Sequence, residues 1–207
     1  YCPLCGTGVA FASSVNGKTL EFGVSGLLYN SDVLLYDRET ESLWSQIMSQ
    51  AISGTHKGEK LTRLPMTHTS WQQWKASHPR TSVLSDKTGY SRDYTRDPYE
   101  GYEKSRSLYF QVTDKAPAFF HPKERVLGIN IGDKYKAYAF SEIDKTGRSE
   151  FTDEFAGQKF TLRWNKQHQQ ASISDDKGNP IAAIEGFWFA WFTFHPDTEV
   201  FRSTEIK

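Results

Sequence analysis

Short runs of alternating apolar and polar residues, each closed by a turn signal within a few positions, occupy most of this 207-residue chain. Such period-2 patterning belongs to strands with one buried face. Val9, Phe11, Ser13 and Val15 alternate with polar or small neighbours, Asn16-Gly17 supplies a type I′ turn, and Leu20, Phe22 and Val24 resume the alternation, so residues 8–24 read as a hairpin. A short apolar strand follows at 33–36, with its return at 42–46, and Gly54 and Gly58 punctuate two more strands that end near Pro65. Further strands are expected at 108–112, 125–131, 135–140, 159–164 and 171–174. The Trp- and Phe-rich block 181–194 reads as a buried strand, with a helix as the alternative. One helix is signalled over 70–77: Ser70 opens it, Gln73 completes a capping box and Pro79 stops it. Its Trp71 and Trp74 share a face and are expected to cover the sheet. Residues 85–106 read as a long ordered loop holding Tyr90, Tyr94, Tyr99 and Tyr102. No repeat or composition shift divides the chain. The expected class is mostly β: a single sandwich or irregular barrel-like domain over 1–207, with one or two short helices and long ordered loops.

Composition narrows the function classes. Apolar residues make up 37% and aromatics 14% of the chain, which excludes a disordered polypeptide. Twenty-five Lys and Arg balance twenty-five Asp and Glu, so a nucleic-acid partner is not expected. No apolar run is long enough to span a membrane as a helix. Tyr1 enters the first motif with no initiator Met, charged n-region or apolar h-region before it. Residues upstream, cleaved or excised, are therefore expected.

The sharpest chemical motif is Cys2-Pro3-Leu4-Cys5-Gly6-Thr7-Gly8. Pro3 presets a turn that brings the first and fourth residues together. The two sulfurs can then form a disulfide, lie as buried thiols, cycle between dithiol and disulfide, or share a metal. The string resembles half of a zinc ribbon, but the chain has no second cysteine pair. His195, in Phe194-His195-Pro196 just past the most apolar segment, is the expected third ligand, with His121 second. Cys2, Cys5 and His195 would suit copper, or zinc with an open position. The acidic pairs Asp37/Glu39 and Asp93/Asp97 are expected to pair with Arg38, Arg92 and Arg96 rather than act as acid and base.

Several strings together carry a family resemblance. These are Tyr1 to Gly8, Phe22-Gly23-Val24-Ser25-Gly26-Leu27-Leu28-Tyr29-Asn30, and Tyr36 to Gln46. Asp97-Pro98-Tyr99-Glu100-Gly101-Tyr102, Phe187 to Trp191 and Phe194-His195-Pro196 fit as well. The chain resembles the domain of unknown function 3179 (DUF3179) family across nearly its whole length. The resemblance implies a bacterial or archaeal protein that is exported, to the periplasm, cell surface or medium, with residues upstream of the Tyr-Cys-Pro-Leu string. It brings no established activity. Thr is expected at the position of Cys5 in some members, which would favour Cys2 with His195 as the shared pair. Two function classes follow. One is an exported soft-metal (copper or zinc) or thiol-redox protein using Cys2, Cys5 and His195. The other is a non-catalytic module presenting a Tyr- and Trp-rich surface, including Trp44, Tyr99 and Tyr102, to a protein or glycan partner.

Overall fold

The structure, a computed structural model, describes residues 1–206. In chain order its elements are β1 (Ala10–Phe11), β2 (Ser14–Val15), β3 (Lys18–Thr19), β4 (Phe22–Tyr29), β5 (Asp32–Asp37), β6 (Leu43–Ser45), β7 (Gln50–Ser53), β8 (Arg63–Leu64), α1 (Trp71–Ser77), β9 (Arg125–Ile131), β10 (Lys134–Ala139), α2 (Phe140–Lys145), β11 (Glu150–Phe155), β12 (Gln158–Asn165), β13 (Gln170–Asp175), β14 (Ile184–Phe187), α3 (Trp188–Phe194) and β15 (Glu199–Val200). The chain is mostly β and irregular: several small sheets, three short helices and, among the described residues, no closed barrel.

Two larger sheets define the two halves. The first is the antiparallel meander β4-β5-β6-β7. Its β4–β5 hairpin turns at Asn30 and Ser31, both with positive φ (51° and 64°). That is the backbone of a two-residue type I′ turn, which matches strand twist. A register shift between Val24 and Leu28 bulges β4, with Ser25 Oγ donating to the Leu34 carbonyl. The second is β14-β9-β10-β15, in which β15 runs parallel to β10.

Alternation in this second sheet decides what packs on each face. Leu127, Ile129 and Tyr138 face a core shared with Phe151, Phe160, Leu162 and Ile173 of the β11-β12-β13 sheet. Val126, Ala137 and Ala139 face the other way, against Trp188 and Trp191 of α3. Gly128 lies on that face as well, and a side chain there would collide with the Trp191 ring. Small residues in β9 and β10 therefore admit the helix.

Sequence and structure differ in identifiable places. The 181–194 block is a four-residue strand followed by a helix rather than one strand. No strand forms at 108–112; among the described residues no regular element lies between α1 and β9. The hairpin read over 8–24 is confined to β2 and β3 around Asn16-Gly17, while Phe11 pairs with Arg63 of β8. Ser70 caps α1 as read, its side chain accepting from the Gln73 N–H. Yet α1 buries no residue; Trp71 stays exposed, and Trp74 stacks on His78 instead of a sheet. The long loop is anchored by Lys123, whose buried ammonium donates to the Ser105 and Ser107 carbonyls at 2.5 and 2.7 Å and lies 3.9 Å from the Tyr102 ring centre. No described helix is long and apolar enough to cross a membrane.

Candidate functional site

The cysteine motif closes into a tight loop. Cys2 N–H donates to the Thr7 carbonyl at 2.8 Å, and Thr7 N–H returns a bond to the Cys2 carbonyl at 3.2 Å. Gly6 permits the closure. It sits at φ 62°, and a Cβ there would approach the Phe187 ring to 2.8 Å. The loop is stitched to β14 by the Phe187 N–H, which donates to the Cys5 carbonyl at 2.8 Å. Gln46 Nε2 holds the other side, donating to the Thr7 carbonyl at 3.2 Å.

This places both thiols in one apolar core with Ile47, Tyr102, Phe187 and Phe189. Both cysteines are free thiols and both are buried. Asp32, the first residue of β5 after the type I′ turn, points into the same core and is fully buried. Its Oδ1 accepts the Cys5 thiol at 3.2 Å, and its Oδ2 accepts the Ile47 N–H at 3.0 Å. Donor atoms of Cys2, Cys5 and Asp32 all lie within 4.8 Å of one another.

The three groups differ electrostatically. Burial pushes the Asp32 carboxyl up to about 7 from 3.8, against the opposing pull of its two hydrogen bonds. Burial likewise pushes the Cys5 thiol up, reinforced by Cys2 and by the Asp32 charge. Cys2 goes the other way: the neighbouring Cys5 thiol and nearby backbone N–H groups hold it below the ordinary thiol range. The two cysteines also differ in access. Cys2 lines an apolar cavity of about 320 Å³ that carries no Lys, Arg, His, Asp or Glu side chain; Cys5 does not line it.

Cys2 and Cys5 thus come together, as the turn geometry implies. Their third neighbour is Asp32; His195 is not in the group. His195 caps the C-terminus of α3 and stacks on Tyr135, ring centres 4.0 Å apart. It lines a different, small cavity with Arg63 and Asn130, and burial plus the Arg63 charge lower it to about 4. His121 Nδ1 accepts the Lys123 N–H. Asp37 does not pair with Arg38. Its carboxylate accepts from Trp44 Nε1 at 2.9 Å and from Thr40, while Arg38 pairs with Glu21. Trp44 and Tyr102 are buried, which removes them from any recognition surface.

Asp32 and Gln46 escaped the sequence reading. The available signal was a lone carboxylate opening an otherwise apolar strand, Asp32-Val33-Leu34-Leu35. As a donor set, two sulfurs and one carboxylate oxygen leave a tetrahedral zinc its fourth position open. Copper(I), which favours thiolate and imidazole, would meet an oxygen instead.

No curated protein and no solved structure matches the chain. A family model does match, over residues 1–198, and it covers every element of the cysteine site. The chain belongs to the family described as "Protein of unknown function (DUF3179)".

Proposed function

We propose that the site carries out thiol–disulfide exchange, with Cys2 as the attacking thiol, Cys5 as the resolving thiol and Asp32 as the proton acceptor for Cys5. The observation that carries this reading is the asymmetry of the pair. Cys2 borders a cavity, whereas Cys5 is sealed behind it with its proton aimed at a buried carboxylate. Exchange needs one thiolate that a partner can reach and a second that acts only from inside.

The step balances as follows. The Cys2 thiolate attacks one sulfur of a disulfide substrate, and a mixed disulfide forms as the other substrate sulfur leaves as a thiolate. Asp32 takes the Cys5 proton. Cys5 Sγ then attacks Cys2 Sγ and expels the second substrate thiol. The substrate disulfide gains two electrons, and the protein ends with a Cys2–Cys5 disulfide. Run backwards, the same steps oxidise a dithiol. Such chemistry suits the exported location that the family resemblance implies, because disulfides persist in oxidising compartments.

The test is a redox titration in glutathione buffers, read by alkylation and mass spectrometry. A reversible two-electron Cys2–Cys5 couple is expected. Cys5→Ser should trap the mixed disulfide on Cys2, and Cys2→Ser should abolish it. Absence of any Cys2–Cys5 disulfide across the titration overturns the proposal. So does stoichiometric zinc or copper in protein purified without chelator, which would make Cys2, Cys5 and Asp32 a metal centre.

A further inference from the structure

The cavity beside Cys2 has a composition that selects its occupant. It is lined mainly by aliphatic and aromatic residues, among them Leu4, Leu28 and Val33, and by no Lys, Arg, His, Asp or Glu side chain. At about 320 Å³ it lies at the small end of ligand pockets, room for a short stretch of peptide rather than a folded partner. Val24 and Leu27, also part of its lining, are 69% and 52% exposed on β4, an outer strand of its sheet.

Gln46 supplies the amide side chain of the lining. It lines the same cavity and is 3% exposed. Its Nε2 is committed to the Thr7 carbonyl, while its Oε1 is buried and has no hydrogen-bond partner among the described residues. Cys2 and Gln46 both line this space.

We infer that the Cys2 cavity receives an uncharged apolar side chain next to a cysteine in a peptide. This deepens the thiol-exchange reading and rests on it for the reaction, though not for the binding. The substrate class is then a disulfide flanked by a large aliphatic or aromatic residue. Oxidised glutathione, which must bring charged groups against an apolar wall, is disfavoured because an unpaired charge is not desolvated cheaply.

Two probes separate binding from exchange. The homodisulfide of N-acetyl-leucyl-cysteine amide should oxidise the reduced protein at least about tenfold faster than oxidised glutathione, after correction for their rates with dithiothreitol. The redox-inert N-acetyl-leucyl-S-methylcysteine amide should bind both the native protein and Cys2→Ser, followed by NMR shifts. Leu27→Asp, at the exposed rim, should lose most of that preference while keeping its fold. Equal corrected rates for the two disulfides together with no binding of the S-methyl peptide would overturn the inference and leave exchange standing. Binding without any exchange would overturn the exchange reading and support the ligand class.

Discussion

Cys5 donates its thiol proton to Asp32 Oδ1 across 3.2 Å, between two residues 27 positions apart. Neither residue is unusual alone. Together, in a fully buried pocket, they form a proton pair whose acceptor, at about 7, is matched to a thiol far better than an ordinary carboxylate. Asp32→Asn keeps the shape and removes the base. The decay of the Cys2 mixed disulfide should slow by about 100-fold, while its formation is unchanged. Stopped-flow measurement of both phases checks this, and an unchanged decay rate would remove Asp32 from the mechanism.

Asp32 also couples folding to pH. Its folded value near 7 lies above the ordinary 3.8, so the folded chain binds more protons between those limits. Its contribution to stability is therefore full below about pH 4 and is lost as pH rises through 7, by roughly 4 kcal/mol at most. The lowered Cys2 thiol acts with the opposite sign, so the comparison belongs in the Cys2→Ser background. There, Asp32→Asn should flatten the fall in urea-unfolding free energy between pH 5 and pH 8.

His195 makes the reverse case. Its folded value of about 4 lies below 6.5, so stability present above pH 6.5 is lost as pH falls toward 4. His195→Phe keeps a ring against Tyr135 and removes that loss. Acid unfolding should move to lower pH, and the reaction of Cys2 with disulfides should not change. A slowed thiol reaction would mean that His195 reaches the site by a route absent from this geometry.

Glycine permits two close approaches, one at the cysteine loop and one beneath α3. A Cβ at Gly186 would strike Thr7 Oγ1, and one at Gly128 would strike the Trp191 ring. Each Gly→Ala change should destabilise by about 1–3 kcal/mol, the usual range for overpacking. Only Gly186→Ala should also alter Cys2 reactivity, since Thr7 closes the cysteine loop. Thermal unfolding with a thiol-reactivity assay distinguishes the two.

Lys123 organises the tyrosine loop through the Ser105 and Ser107 carbonyls and the Tyr102 ring. Lys123→Met removes both hydrogen bonds and leaves the stem volume. Limited proteolysis should then cut within 85–106 at least several times faster, with the segment from β9 onward resistant. Unchanged cleavage would show that the loop is held by other contacts.

Much of this protein was written locally in the sequence. Local apolar patterning between turn signals gave β9, β10, β12 and β13 almost to the residue: β12 alternates between a buried and a more exposed face, while β9 and β10 are apolar runs covered on both faces. The Asn16-Gly17 turn, the Ser70 cap and the meeting of Cys2 with Cys5 are likewise settled within a few residues by φ preferences and short hydrogen bonds. The 181–194 block carried no such contrast. Core surrounds it on nearly all sides, so period 2 and period 3.6 look alike, and only the small residues of β9 and β10 make room for a helix. The site itself was decided by tertiary structure. A type I′ turn at Asn30-Ser31 sets the register of β5, and that register delivers Asp32 to the thiols. The β6 end of the same meander delivers Gln46, while the stack on Tyr135 holds His195 elsewhere. Contacts across tens of residues leave no local pattern, because each depends on how the sheets align and not on the residues beside it.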